Sequence, residues 1–456
     1  MKNSILIVFM CFYAAVAAQN KQVLYGFAGL PQTLMLNPGA EVENKFYVGF
    51  PLLSQVSFQG GITAFSAYDI FSKSTVDINE KIAQVVQDYG NAEFTQFNEQ
   101  LEVFSGGFKL NEATYLSFGY YQEFNSLIKV PRDLIDLVYE GNQDINRHYE
   151  VNKLSARAEL LGVYHIGASK RINNKLQIGG RFKLYTGVLN AKSTSNNGSL
   201  VSIEGQNNIY TQRLENVDMS VQTSGIILDD YDAIEPSDYI KKMFFSGNYG
   251  IGVDVGFTYH FKKQWTVTGS AQDLGFIYYT KDVESYSAKG SFELEGFDLG
   301  FDLENPEDYW NDLKDRFEEE VQIDTLYSNY IATRPLKLNG SLYYSFGREF
   351  DDCRFELRPD KYVNKVGLQL FSRLGSVHSY VAATLFYERR FSKLLQAKIS
   401  YTADPFSFSN LGVGVSTQLG PLNLYVVADN LLYLNNLYSA KSISMQAGLN
   451  FIFYNK

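Results

Sequence analysis

Residues 248–261, NYGIGVDVGFTYHF, decide the fold. Tyr249, Ile251, Val253, Val255, Phe257, Tyr259 and Phe261 are all large and apolar. The residues between them, Asn248, Gly250, Gly252, Asp254, Gly256, Thr258 and His260, are small or polar. A strand turns successive side chains to opposite faces, so this segment reads as a strand with one greasy face and one wet face. It also runs well past the roughly five or six residues usual for a soluble strand.

The same alternation recurs along the chain. Leu176, Ile178, Phe182 and Leu184 oppose Lys175, Gln177, Arg181 and Lys183. Leu336, Leu338, Leu342, Tyr344 and Phe346 oppose Lys337, Asn339, Ser341 and Ser345. Ala397, Ile399 and Tyr401 oppose Gln396, Lys398 and Ser400, and weaker runs lie at 59–65, 103–110, 114–122, 156–169, 265–272, 363–371 and 380–388. Tight connections at Asn173-Asn174, Lys262-Lys263 and Gly420-Pro421 read as hairpin turns. Longer, acidic connections at 66–100, 124–152, 225–246 and 300–332 separate other runs. Short turns at one end and long loops at the other are how outer-membrane barrels are built.

Composition agrees. Aromatics make up 15% of the chain, with 33 Tyr and 34 Phe against only 2 Trp, and Tyr and Phe are strand formers. No apolar run of about 18 residues occurs outside the N-terminus, so no transmembrane helix is expected. The net charge of -10, without a basic stripe, argues against nucleic acid as a partner. Residues 1–18 read as a signal peptide: Lys2 opens it, 5–13 is apolar, and Val16-Ala17-Ala18 offers a small-residue cleavage site. Without that leader Cys353 stands alone, so stability has to come from something other than a disulfide, such as the closed hydrogen bonding of a barrel.

The long connections carry helix signals. Asn305 can cap and Pro306 can start a helix running to about Gln322. The segments 131–138, 79–89 and 237–245 read as three more. The chain ends in Gln446-Ala447-Gly448-Leu449-Asn450-Phe451-Ile452-Phe453, followed by three residues. Gln446, Gly448, Phe451 and Phe453 fit the last-strand pattern that the bacterial barrel-insertion machinery reads as an assembly signal. Ile443, Met445, Ala447, Leu449, Phe451 and Phe453 then face lipid.

These stretches resemble a known group. The run GNYGIGVDVGFTYHF, LMLNPG at 34–39, GFPLLSQVSFQGG at 49–61 and RPLKLNGSLYYSFG at 334–347 resemble uncharacterised Bacteroidota outer-membrane proteins that carry a conserved domain of unknown function. ADNLL at 428–432 is similar to the PorP/SprF proteins of the type IX secretion and gliding apparatus, and the broader shape to FadL-type channels. The resemblance covers nearly the whole chain after the leader. It implies fold and outer-membrane location, and its motifs are structural, so no functional residue is carried over from it.

The sequence carries no catalytic motif. His148, His165, His260 and His378 are not at metal spacing, and H-E-x-x-H and C-x-x-C are absent. Gly250, Gly252 and Gly256 miss the phosphate-loop spacing. His260 and Ser270 lie on consecutive strands, but nothing marks them as a hydrolase pair. Neither an enzyme nor a cofactor is expected. What the polar faces do offer is a mixed lumen set: Arg157, Glu159, Arg181, Lys183, Asp254, His260, Lys337 and Lys398, with Lys175 and Glu388 beside them. That set fits a paired network filling the lumen, or a path for an anionic substrate. The segment 19–44 could fold into the same lumen as a hatch, with Leu34, Met35, Leu36 and Pro38 its apolar part.

The sequence therefore predicts an all-β protein: a transmembrane antiparallel β-barrel of about fourteen strands, with about sixteen the alternative, and helical segments in long extracellular loops. The whole of 19–456 forms that one domain, set in the cell outer membrane among its lipid. Two functions compete. One is FadL-like passage of a hydrophobic or amphipathic small molecule. The other is a non-enzymatic scaffold for a type IX secretion or surface-assembly component.

Overall fold

The computed structural model describes residues 21–91, 93–205, 210–225, 236–294, 306–351, 356–433 and 436–454. The expected leader lies outside them, as do Asn305 and Cys353. In the strand Tyr249–His260 the alternation becomes geometry: Ile251 is 47% exposed and Asp254 fully buried. Its neighbours Leu176–Glu204 and Trp265–Tyr279 pair with it antiparallel, Leu176 opposite Tyr259 and Val267 opposite Tyr259 from the other side. Continued around, this pairing closes a barrel of 14 antiparallel strands. The seam joins the first strand to the last, Phe46 opposite Phe453 and Val56 opposite Ala447. Among the described residues no helix is long and apolar enough to cross a membrane, and the outward face of the strands is apolar nearly throughout.

The first strand comes in two pieces, Phe46–Gly49 and Val56–Ile62. Between them the chain bulges outward, with Leu52 at φ 63°. The wall is not breached. The Leu52 amide donates to the Val103 carbonyl at 3.1 Å, and the Leu449 amide to the Leu53 carbonyl at 2.8 Å. The strand Tyr330–Thr333 and Leu336–Asp351 is likewise interrupted only at Arg334-Pro335, where the Arg334 amide still reaches the Gly275 carbonyl.

The turns expected at 173–174, 262–263 and 420–421 all lie at one end of the barrel. The helices lie at the other: Ile78–Asp88, Arg132–Glu140, Pro236–Phe244 and Pro306–Glu320. Asp77 caps the first, accepting from the Asn79 amide at 2.8 Å, and Gly141 ends the second at φ 75°. Two of the expected long loops are shorter than read, because the strands Phe94–Asn111 and Thr114–Lys129 run further into them.

One feature was not anticipated. Leu176–Glu204 spans 29 residues, far beyond the roughly 9–11 that cross a membrane. Its outer half leaves the barrel and pairs with Tyr210–Ser224, which pairs with Val283–Leu294, which pairs with Val321–Leu326. His148–Glu150 pairs with the opposite edge of the same long strand, giving a projecting sheet. Its sequence hides it: 193–199 reads Ser-Thr-Ser-Asn-Asn-Gly-Ser, polar on both faces, so the period of two vanishes.

A second feature lies on the outside of the wall. Tyr120 opposes Tyr164, and Gly162 opposes Thr186, which opposes the outward Tyr249. All share the outward face, yet Tyr120 and Thr186 are almost fully buried. The end of helix Pro236–Phe244 covers them. Tyr120 Oη and Thr186 Oγ1 donate to the Met243 carbonyl at 2.7 and 2.6 Å, and the Phe244 ring stacks on Tyr120. These bonds satisfy a helix-end carbonyl that lipid would leave orphaned. A Cβ on Gly162 would run into that carbonyl. Gly162→Leu is therefore expected to lift the helix while the barrel still forms. Hydrogen exchange of amides 237–244 should accelerate by roughly tenfold, the effect of about 1.4 kcal/mol of lost local stability. Unchanged exchange would mean the helix is held from elsewhere.

Candidate functional site

Residues 21–44 run through the barrel interior and are mostly buried. Apart from a short 3-10 turn at Pro31–Met35 they have no regular structure, so their backbone carbonyls need partners from outside. The inward side chains of the wall supply them. Arg181 donates to the carbonyls of Leu34 at 3.0 Å and Met35 at 2.6 Å. Ser270 Oγ donates to Leu36, Gln177 Nε2 to Ala40 and Thr258 Oγ1 to Gly39, at 2.6, 2.8 and 2.9 Å. Lys398 Nζ donates to the Tyr25 carbonyl at 2.8 Å from the far wall, over the Phe386 ring.

The inner-face glycines explain how closely this segment lies. A Cβ on Gly179 would overlap the Pro38 carbonyl, and one on Gly256 the Asn37 side chain. Gly39 in turn lies directly on the Gly256 backbone. Three glycines thus let two backbones touch where any side chain would hold them apart. Leu34 packs with Ala40, Tyr47, Tyr115 and Ile452. Leu36 joins Val23, Leu24, Phe27, Tyr425 and Val427 on the other side.

Above this plug lies a buried charge network. Arg181 Nε donates to Asp254 at 2.8 Å, and Lys183 lies 3.0 Å from the same carboxylate while also pairing with Asp273. Lys337 contacts Asp273 at 2.9 Å and Glu123 at 3.5 Å. Arg334 is the hub: it pairs with Glu159, with Glu123 at 2.8 Å and with Asp273 at 3.7 Å. Arg157 closes the chain on Glu159 at 2.8 Å. Every acid is held by at least two cations, which is what makes burial of so much charge tolerable.

Of the eight lumen residues expected from sequence, Arg157, Glu159, Arg181, Lys183, Asp254 and Lys337 meet here. Two do not. Lys398 holds the plug from the opposite wall. His260 sits near the short-turn end, bonded to Thr266 Oγ1 at 2.8 Å and Glu41 at 3.1 Å. Burial pushes the Glu41 carboxyl up, but the His260 hydrogen bond and charge outweigh it and hold it below the usual carboxylate range. Sequence reasoning missed Glu123, Asp273 and Arg334. Asp273 sits in a bulge at φ 61° where the register shifts between Ala271 and Leu274, so the alternation fails at that point. Arg334 precedes a proline, which reads as a strand boundary. Glu123 lies two residues beyond Tyr121 on the same face, and following that period past 122 would have found it. In the last strand Gln446 and Gly448 face inward, while Phe451 and Phe453 face outward, Phe453 stacked on Phe46 at 4.2 Å.

Between the network, the plug and the long-loop end lies a chamber of about 70 Å³. Met35 and Leu36 form its floor; Glu123, Asp273, Arg334 and Lys337 line one wall; Phe371 and Tyr380 line another. Tyr380 belongs to an aromatic cluster with Phe94, Phe371 and Phe406. Lys21 also lines the chamber, and burial pushes its amine down to about 7. Among the described residues no group of three His, Cys, Asp or Glu could hold a metal.

A family model described as "Family of unknown function (DUF5723)" matches residues 38–429. No curated protein matches. Among solved structures the chain is similar to the Ralstonia pickettii toluene transporter TbuX, at 10% identity and TM-score 0.43, covering 93% of this chain and 94% of that one. It is also similar to a Pseudomonas aeruginosa FadL homologue, at 9% identity and TM-score 0.40, covering 96% and 95%. A third is the Pseudomonas putida toluene transporter TodX, at 8% identity and TM-score 0.36, covering 92% of each chain.

Proposed function

We propose, from the premise that this chain belongs to the DUF5723 family of unknown function, that it is a non-enzymatic outer-membrane barrel that admits an amphipathic small molecule. The observation that carries this reading is the chamber at the long-loop end, charged on one wall and aromatic on another, closed below by a plug. A purely hydrophobic cargo suits it less well, because desolvating the charged wall against an apolar ligand is costly. Residues 19–44 act as the hatch, and Arg181, Lys183, Asp254 and Lys398 hold it or brace what holds it. Their charges are spent on each other and on the plug, which fits a filled lumen better than an open anion path. The test is native mass spectrometry on protein gently extracted from its own outer membrane. A defined amphipathic molecule of small mass should accompany the barrel; a bare barrel under all gentle conditions would sink the idea.

The scaffold reading has one observation in its favour. The edge strand Val321–Leu326 of the projecting sheet pairs, among the described residues, only with Val283–Leu294. Ile323 and Leu326 on it are half exposed. Open edges recruit partner strands. A stoichiometric protein partner in the same mass spectrum would move the assignment to a secretion or surface-assembly scaffold.

The leader at 1–18 and the last strand serve delivery. Gln446, Gly448, Phe451 and Phe453 present the signal to the barrel-insertion machinery. Phe453→Ser is expected to cut the inserted, heat-modifiable form to roughly a tenth or less. It places a hydroxyl in the lipid-facing band and removes the ring stacked on Phe46. Normal amounts of inserted Phe453→Ser protein would show that the signal lies elsewhere.

A further inference from the structure

The charged wall of the chamber is already satisfied. Glu123, Glu159 and Asp273 are each shared between cations, and those cations are shared between acids. The adjoining wall is different. Gln59, Gln96, Gln100 and Gln446 all line the chamber and are all more than nine-tenths buried. Each has one amide atom without a hydrogen-bond partner among the described residues: Nε2 of Gln59 and Gln100, Oε1 of Gln96 and Gln446. Their other amide atoms are partly used. Gln100 Oε1 accepts from Lys21, Gln59 Oε1 accepts from Asn98 at 3.1 Å, and Gln446 Nε2 donates to Tyr425 Oη at 3.4 Å.

A buried amide atom left unpaired costs about 1–3 kcal/mol, and four on one cavity wall call for a common reason. The free set contains both donors and acceptors, and both are uncharged. Ions would be read by the charges beside them, but those are already engaged. Lys21 donates to Gln100 Oε1, and Arg373 donates to the His378 carbonyl at 3.0 Å. A group that donates and accepts at once, at several points, without net charge, is a hydroxyl-rich ring. The flat aromatic surfaces of Phe371 and Tyr380, with ring centroids 6.0 Å apart, flank the same space. Aromatic faces suit the C–H side of a sugar or the start of an acyl chain.

We infer that the chamber recognises a neutral, polyhydroxylated headgroup, such as that of an alkyl glycoside, through Gln59, Gln96 and Gln100 with Gln446. This deepens the passage reading above and rests on it. Specificity follows from the same groups: a site built to hydrogen-bond hydroxyls rejects an analogue that lacks them, because its buried amides then stay unpaired.

The experiment is calorimetric titration of the full-length protein in nanodiscs with four six-carbon amphiphiles below their micellar concentrations. These are hexyl glucoside, hexanol, hexanoate and hexyltrimethylammonium. Hexyl glucoside should bind at least tenfold more tightly than the other three. The triple variant Gln59→Met, Gln96→Met, Gln100→Met keeps side-chain size and removes the amides. It should lose at least tenfold in glucoside affinity while changing the other three little. Compact migration of the unheated variant on a gel confirms that its barrel is intact. Tightest binding of hexanoate would overturn the headgroup assignment and assign Arg373 instead, leaving amphipathic passage standing. So would glucoside binding that the triple variant leaves unchanged. If none of the four binds, the headgroup assignment falls together with the passage reading.

Discussion

Gly179→Val is expected to unseat the plug and raise the permeability of the barrel to small polar solutes by roughly tenfold or more. At this position even a bare Cβ would overlap the Pro38 carbonyl, and the atoms it meets are backbone on both sides. Overpacking of this kind costs about 1–3 kcal/mol, which shifts a seated-to-unseated ratio by about 5- to 150-fold. The neighbouring residue provides the control. Gly180 lies on the opposite face of the same strand, and a Cβ there meets only the Asp254 carbonyl, at 3.8 Å. Gly180→Val has the same β-propensity gain and the same added volume, so it should leave permeability near wild type. Swelling of proteoliposomes in a series of sugars measures both. Equal permeability of the two variants would show that the contact at Gly179 does not hold the plug. A graded result, with Gly179→Ala between glycine and valine, would identify steric displacement as the cause.

Removing the hub of the charge network has the next largest effect. Arg334 has a fully buried side chain and reaches three carboxylates. Arg334→Met fills similar volume but leaves Glu159 with Arg157 alone and Glu123 with only Lys337, 3.5 Å away. Breaking a buried pair from one side costs about 3–5 kcal/mol, because the stranded charge stays desolvated. Urea unfolding of the protein from lipid vesicles should show a loss of that size. Adding Glu123→Gln should restore part of it, since that change removes the weakly held carboxylate while Lys337 keeps Asp273 at 2.9 Å. A loss below about 1 kcal/mol would mean that water reaches the network and screens it.

How much of this was legible depends on which solvent each face meets. The wall was readable because lipid on one side and a packed lumen on the other impose opposite demands on successive residues, as at 249–261. Six of the eight lumen residues singled out converge for the same reason: a charge on an inward strand position near mid-wall has to find its opposite. The helices at 132–140 and 78–88 announced themselves in the sequence at 131–138 and 79–89, closed by Gly141 and Gly90. The projecting sheet did not, because a strand wet on both faces carries no period. Nor did Asp273 and Arg334, which sit where a bulge and a proline break the count. The outer-wall helix was legible as a helix but not in its place. Tyr120, Gly162 and Thr186 look like ordinary outward positions until the Met243 carbonyl is seen between them.

The seam has a consequence for the order of events in assembly. Phe46 pairs with Phe453, so the ring of strands can be completed only after nearly the whole chain has been delivered. The contact is among the most distant in sequence that the chain can make, and such closures come late. The plug is continuous with the first strand and lies against strands from opposite sides of the ring, at Arg181 and at Lys398. Threading it into a finished ring would mean dragging buried side chains past the glycine contacts. The economical route is for an open sheet to curl around a plug already bonded to its strands. The segment that blocks the lumen would then also serve as the form on which the ring is drawn shut, and variants that loosen it should slow biogenesis before they alter transport.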